Sequence, residues 1–307
     1  MQNIDVLYFL QPIVTIAFSA GLVIYWNRKR SFTRAALVLS LLAYAGAIVV
    51  KIILQTLTYS AFVSRVGNNP AALGAYFGVQ TVFFEVGGAY LVAVWAVSRR
   101  TLNPRDAESY GLGLGFWENA GYVGTLGTIT LLSIYAALAI GGPTAEEVYS
   151  SLVVARPDLF YSAMQALTLV GYALLERVSS LLFHFSWGYL CLLAACTARK
   201  RYLLLALPMG LVDFLVPFAG ILGILAFEVL IFVLGLGCVG LVLVATRGLR
   251  QRPSAGPPDA TWNAIFAQSN SSRESVYLQS DDTENKASTL SFSRKERSDG
   301  RFTPLPC

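Results

Sequence analysis

The sequence predicts an all-α polytopic membrane protein with about seven transmembrane helices. The chain is 55% hydrophobic and only 13% charged, a balance outside that of soluble globular domains. Its apolar residues form long runs, most of which reach the ~20 residues needed to cross ~30 Å of hydrocarbon. Basic residues collect in the loops between these runs. We place the spans at residues 6–26, 35–57, 71–98, 110–140, 174–198, 202–217 and 221–246.

The positions of Lys and Arg predict the orientation of the spans. Basic clusters occur at residues 28–34, 99–105, 199–201 and 247–252, whereas the alternate loops hold only Arg65 and Arg156. By the positive-inside rule, the N-terminus is outside and the C-terminus is cytosolic. The net charge of +5 therefore reflects topology and gives no support to a nucleic-acid partner. The first span lacks the basic leading region of a cleavable signal peptide, and we expect it to be retained.

Two further segments complete the domain organisation. Residues 158–173 are apolar, but an eighth crossing there would move the 199–201 cluster outside, so we expect an outer-leaflet or re-entrant helix leading into the fifth span. The membrane domain covers residues 1–252. Residues 253–307 are rich in Ser, Asp, Asn, Lys and Arg, which predicts a disordered cytosolic tail. The particular membrane is left open.

Ionisable residues inside the spans are the main functional signal. Each costs roughly 2.5–3.5 kcal/mol at a helix centre, so several together indicate a shared polar cavity. At 1.5 Å per residue from the adjacent basic cluster, Glu85, His184 and Asp213 lie ~21, ~22 and ~18 Å deep. We therefore expect these three to meet. The candidate residues are Glu85, Glu118, Glu176, His184 and Asp213.

Neighbouring positions supply charge and close packing. Lys51 lies deeper and could neutralise one carboxylate, whereas Glu176, near the outer boundary, is predicted to pair with Arg177. Glu228, near the outer end of the last span, is interpreted as structural. Small residues share a helical face with the acidic or imidazole groups in the third, fourth and fifth spans, which predicts that these faces contact protein.

Carboxylates beside an imidazole suit hydrolysis within the membrane. A Glu can activate water if a nearby cation favours its ionised form, and His184 or Asn119 could donate to the oxyanion. No metal is expected, because the chain has no HExxH motif and no Cys/His cluster, although His184 with Glu85 and Glu118 leaves a zinc alternative open. A proton or ion pathway is a further alternative, which the missing internal repeat disfavours.

Four motifs carry a family resemblance over residues 75–220. They are FEVGGAY at 84–90, GLGFWEN at 113–119, ER at 176–177 followed by FHFS at 183–186, and VDF at 212–214. In order and spacing they resemble the glutamic intramembrane protease superfamily, which includes YhfC-type and PrsW-type proteins and the CAAX-processing Abi proteases. The resemblance implies hydrolysis of peptide bonds in membrane-embedded or lipid-modified substrates by Glu-activated water.

The resemblance also implies roles for individual residues. Glu85 would activate water, Glu118 would act as a second acid/base, His184 with Asn119 would stabilise the oxyanion, and Asp213 would orient His184. Glu176 and Arg177 would give substrate or structural support. The second Glu and the Arg of the first motif are Val86 and Ala89 here, and a His of the fourth motif is Met209, so the paired-carboxylate base is incomplete.

Two other classes stay open at this point. The chain also resembles the Aph subunit of gamma-secretase, which implies a catalytically silent scaffold that holds partner membrane proteins. Seven spans with an outside N-terminus and a Ser-rich tail are also the outline of a G-protein-coupled receptor, but the motifs typical of that class are missing. Whether the protein is an enzyme is therefore left open, and the predicted partners are the lipid bilayer and a membrane-embedded substrate or partner.

Overall fold

The computed structural model describes residues 4–30 and 32–250, and within them the chain is helical with no β-strand. Seven helical stretches are long and apolar enough to cross a bilayer, which confirms the predicted all-α, multi-pass membrane protein. Their orientation stays a prediction, and the expected tail at 253–307 lies outside the described residues. The spans are Val6–Lys29, Arg34–Val66, Pro70–Ser98, Pro104–Ile140, Ala163–Thr197, Lys200–Leu222 and Ile224–Arg247.

The ends of the spans follow from local sequence. Asn69 caps the third span by accepting from two backbone N–H groups, and Asn103 forms a capping box with Asp106 at the start of the fourth. Glycines with positive φ separate spans at Gly67 and Gly223, a conformation that side chains with a Cβ rarely adopt. These signals set the loops and hence the register of each span in the bilayer.

Three of the spans are not regular α-helices. The third contains a π-helical segment at Thr81–Val86, the fourth contains one at Trp117–Gly124, and the sixth contains a 3-10 segment at Leu207–Phe218. The α-helical parts of these spans are Pro70–Gln80, Gly87–Ser98, Ala107–Phe116, Thr125–Ile140, Lys200–Ala206 and Ala219–Leu222.

The other four spans consist mainly of regular α-helix, and two helical elements, one α-helix and one 3-10 turn, lie between the fourth and fifth spans. The regular α-helices of the first, second, fifth and seventh spans are Leu10–Arg30, Arg34–Val66, Ala163–Thr197 and Ile224–Arg250. Another α-helix, Gly142–Ala155, connects the fourth and fifth spans, and short 3-10 turns occur at Val6–Phe9, Pro104–Asp106 and Pro157–Phe160.

The expectation of a separate outer-leaflet or re-entrant helix at 158–173 is wrong. A 3-10 turn at Pro157–Phe160 is followed by one uninterrupted α-helix, Ala163–Thr197, whose start is fixed by a capping box between Ser162 and Gln165. At 1.5 Å per residue this helix is about 50 Å long, which exceeds the ~30 Å thickness of the hydrocarbon. The apolar segment is therefore the beginning of the fifth span and not a separate element.

The fifth span forms the centre of the bundle, and glycines let its neighbours approach closely. A Cβ built on Gly111 of the fourth span would lie 2.4 Å from the backbone oxygen of Phe185, and one on Gly188 would lie 2.8 Å from the Cα of Gly111. Both positions therefore exclude larger side chains. The predicted protein-facing stripes of the fourth and fifth spans are confirmed at this contact.

The last span contacts the rest of the bundle at fewer positions than the other described spans do. It meets the fifth span at Gly235, where a Cβ would lie 3.2 Å from the Cβ of Leu182, but Gly237 and Gly240 have no heavy atom within 4 Å of a built Cβ. Many of its apolar side chains are exposed, including Val233 and Leu236. In a bilayer these side chains would contact lipid, so the last span forms a thin wall of the bundle.

Candidate functional site

Each acidic residue of the central cluster lies on an irregular helical segment. Glu85 is in the π-helical Thr81–Val86, Glu118 begins the π-helical Trp117–Gly124, and Asp213 is in the 3-10 segment Leu207–Phe218. Helical irregularities of this kind occur frequently at functional sites because they redirect side chains. His184, by contrast, comes from the regular helix of the fifth span.

His184 lies between the two glutamates. Its Nε2 is 3.3 Å from Glu85 Oε2, and its Nδ1 is 2.7 Å from Glu118 Oε2. The ring is also fixed by aromatic neighbours, with its centroid 4.2 Å from that of Trp187 and 5.9 Å from that of Tyr44. A protonated imidazole donates from both nitrogens, which matches a carboxylate on either side. The arrangement links the third, fourth and fifth spans through one side chain.

Lys51 connects Glu85 with Asp213. Its Nζ is 2.6 Å from Glu85 Oε1 and 2.9 Å from Asp213 Oδ2, and it also donates to Thr81 Oγ1 at 2.7 Å. Lys51 is 13% exposed at the side chain and Glu85 is 8% exposed, so this ion pair is shielded from solvent. A buried carboxylate needs such a partner, because an uncompensated charge in a low-dielectric environment is costly.

Arg177 has the same role on the other side of the imidazole. Its guanidinium lies 3.2 Å from Glu118 Oε1 and also pairs with Glu176, while Ser180 donates to Glu118 Oε2 at 2.6 Å. The predicted Glu176–Arg177 ion pair is therefore present. Because Arg177 serves two carboxylates, its charge is shared between the centre of the site and its edge.

These groups line a cavity of about 400 Å³. Its polar residues are joined by apolar and aromatic ones, among them Phe183, Val216 and Ile231 from three different spans. Ligand pockets are typically concave and largely apolar, with a few convergent polar groups. The polar and ionisable lining comprises Tyr44, Lys51, Gln55, Glu85, Glu118, Tyr122, Glu176, Arg177, Ser180, His184, Trp187, Asp213 and Glu228.

Most of the predicted residues come together, but two take different partners. Asn119 is fully buried and donates from Nδ2 to the backbone oxygen of Arg177 at 2.9 Å, so it fastens the fourth span to the fifth and lies outside the cavity lining. Asp213 bonds to Lys51 and Thr81, and the partner of His184 at Nδ1 is Glu118. The expected orienting contact from Asp213 to His184 is thus replaced by one from Glu118.

Two aromatic residues of the site were missed by the sequence argument. Tyr44 lies seven residues before Lys51 on the second span, and Trp187 lies three residues after His184 on the fifth. Residues at these spacings share one helix face. Their spacing from Lys51 and His184 is thus the sequence signal that indicates both aromatic residues. Trp187 Nε1 is buried, with no hydrogen-bond partner in the part of the chain that the structure describes.

Comparison with known proteins identifies one family. The model of the family described as YhfC intramembrane metalloprotease matches residues 14–236, which include every residue of the site. No curated protein and no solved structure matches this chain significantly. The expected resemblance to the YhfC type is therefore confirmed, while the resemblance to the Aph subunit has no support from these comparisons.

The family description implies a metal ion, which the arrangement of donors does not fit. Among the residues that the structure describes, no three His, Cys, Asp or Glu side chains gather as ligands would. His184 has both ring nitrogens next to carboxylate oxygens, and Lys51 and Arg177 hold those carboxylates in ion pairs. A divalent cation would need an imidazole lone pair and carboxylates without these cations. In this arrangement the residues do not fit such an ion.

Proposed function

The chain belongs to the YhfC intramembrane metalloprotease family, and we propose that it hydrolyses peptide bonds of membrane-embedded or lipid-modified substrates by Glu-activated water. The observation that carries this proposal is the position of His184 between Glu85 and Glu118 at the wall of a cavity within the spans. A carboxylate base and an imidazole donor at one point are the groups that attack on a peptide carbonyl requires.

Glu85 is the general base of this proposal. It accepts a proton from a water molecule as the water oxygen bonds to the peptide carbonyl carbon, and it gives a proton to the departing amine when the C–N bond breaks. Lys51 supports this role, because an ammonium group 2.6 Å away stabilises the ionised carboxylate against the cost of burial. Asp213 and Thr81 position Lys51, so Asp213 acts through Lys51 and not through His184.

His184 is the proposed donor to the oxyanion. Its Nε2 contact with Glu85, at 3.3 Å, is the longer of its two carboxylate contacts, so this N–H can turn to a substrate oxygen while Glu118 holds Nδ1. Trp187, which lines the cavity beside His184, is the proposed second donor in place of Asn119, since its N–H has no partner among the described residues. Glu118 then orients the imidazole, and Arg177 with Ser180 fixes Glu118.

A scaffold that uses the same cavity to hold partner helices is the second candidate. It is favoured by the first motif, where the position of the second carboxylate is taken by Val86 and that of the Arg by Ala89, both fully buried in the core. The third span therefore supplies one carboxylate, Glu85, to the cavity in place of the expected pair. The family match favours either of these over a receptor.

The proposal is tested by proteolysis with the purified, detergent-solubilised protein. Wild type, Glu85→Gln and Glu118→Gln are incubated with transmembrane peptides and prenylated CAAX peptides, with and without a zinc chelator. We expect cleavage by wild type that both substitutions abolish and that the chelator leaves unchanged. Glu147→Gln, on the exposed helix Gly142–Ala155, is the matched control and should cleave normally.

Each other result has a definite meaning. Loss of cleavage with the chelator would overturn the metal-independent mechanism, and cleavage by Glu85→Gln would overturn the role of that residue. If no peptide is cleaved while Glu85→Gln still assembles with the partners of the wild type, the scaffold is favoured, because the amide keeps the shape and hydrogen bonding of the carboxylate.

A further inference from the structure

Glu228 differs from every other carboxylate at the cavity. It lies near the start of the last span, is only 7% exposed and lines the cavity, yet its Oε2 is buried without a hydrogen-bond partner among the described residues. Glu85, Glu118, Glu176 and Asp213 each pair with Lys51 or Arg177. A buried polar atom without a partner is costly, so a native structure that retains one calls for an explanation.

The two cations of the cavity lining cannot supply that partner. Lys51 is shared between Glu85 and Asp213, and Arg177 is shared between Glu118 and Glu176. Five carboxylates thus line the cavity with two Lys or Arg side chains and one imidazole. Glu176 and Arg177 both interact electrostatically with Glu228, but Arg177 is already paired with two other carboxylates, so this side keeps an excess of negative charge. This side of the cavity is complementary to a positive charge.

We propose that Glu228, with Glu176, forms a subsite that binds an ammonium or guanidinium group of a ligand in the cavity. This inference rests on the proposed function, under which the group belongs to a Lys or Arg of the membrane-embedded substrate. Such a group offers several N–H donors to the unpaired oxygen of Glu228 and supplies the missing charge. Binding it removes the cost of the buried unpaired atom.

The geometry of the fifth span gives the distance from this subsite to the reactive centre. Glu176 and Arg177 precede His184 by seven or eight residues on one regular helix, a separation of about 10–12 Å along its axis. An extended peptide advances about 3.3–3.6 Å per residue. The basic residue of the substrate is therefore expected about three or four positions from the bond that meets His184.

The test measures binding, so it does not depend on cleavage. Fluorescent transmembrane peptides of Leu and Ala carry one Lys, or norleucine in its place, three or four residues from the peptide centre, and fluorescence anisotropy gives their affinity for the full chain in nanodiscs. We expect wild type to prefer the Lys peptide by about tenfold, the scale of one charge-assisted hydrogen bond. Hexylammonium should compete with the Lys peptide, and hexanol should not.

Three variants decide whether Glu228 is responsible. Glu228→Gln should lose the preference for Lys, Glu228→Lys should instead prefer a peptide with Glu at that position, and Glu147→Gln should behave as wild type. Equal affinity of wild type for the Lys and norleucine peptides would overturn the proposal, as would a Lys preference that survives in Glu228→Gln. A Lys preference in the absence of any proteolysis would support the subsite while the proposed hydrolysis fails.

Discussion

The fifth and the seventh spans both line the cavity, but they are built differently. The fifth is mostly buried from Arg177 to its end, contacts its neighbours through Gly188, and has Arg177 engaged in two ion pairs. The seventh is largely exposed, has glycines with open space around them, and carries Glu228 with an unpaired oxygen. One wall of the cavity is therefore fixed, and the other is held by few contacts.

This difference separates two tasks. Catalytic groups must keep their geometry, which close packing and second partners provide on the fifth span. A substrate helix must reach the cavity from the bilayer, and the wall that breaks the fewest contacts when it moves offers the least costly route. Three pairs of substitutions, one on each span, test this difference.

The largest contrast is expected for charge removal. Arg177→Met leaves Glu176 without a cation and Glu118 with His184 alone, and should lower the free energy of unfolding by about 3–5 kcal/mol, the cost of breaking a buried ion pair. Glu228→Gln removes an unpaired charge and should leave stability unchanged or raised. Denaturant unfolding in detergent micelles measures both. An equal loss of stability in the two variants would contradict the interpretation that Arg177 is paired and the Glu228 oxygen is not.

A smaller contrast is expected for glycine. Gly188→Ala places a methyl group 2.8 Å from the Cα of Gly111, so we expect a loss of about 1–3 kcal/mol from overpacking. Gly240→Ala meets open space and should gain up to about 1 kcal/mol from helix propensity. The midpoint of thermal unfolding should therefore fall for Gly188→Ala and rise for Gly240→Ala. A shift in the same direction would show that the last span packs as tightly as the fifth.

The smallest contrast is expected for cysteine. Cys191 on the fifth span is completely buried and its thiol contacts the backbone oxygen of Val86, whereas Cys238 on the seventh is partly exposed. Cys191→Ala should cost about 1 kcal/mol, as deletion of one buried methyl group does, and Cys238→Ala should cost almost nothing. The same unfolding assay measures the stability of both variants. A larger loss of stability for Cys238→Ala would show that the seventh span is the more tightly packed of the two.

The sequence was sufficient for the spans and for much of the site. The thickness of the bilayer sets the length of a span, and residues counted from a basic loop give depth, which is why Glu85 and His184 could be expected to meet. The same count placed Lys51 near enough to neutralise a carboxylate, as it does for Glu85. The ion pair of Glu176 and Arg177 followed from adjacency and position.

The sequence was not sufficient for the direction of side chains around each helix axis. Depth fixes the level of Asp213 and Asn119 but not the neighbour each one faces, and their spans contain 3-10 and π-helical segments that change the rotation per residue. The continuity of Ala163–Thr197 was missed for a related reason. Hydropathy and charge parity do not distinguish a separate apolar helix from an extension of the next span.

The π-helical segments have an evolutionary consequence. Each accommodates about one residue more than an α-helical turn would, and one residue of α-helix corresponds to a rotation of about 100°. Deletion of a single codon within residues 81–84 would restore a regular α-helix and remove the π-helical segment that carries Glu85. A relative with that deletion would still have seven spans and nearly the same hydropathy, so length and composition do not reveal whether the segment is present.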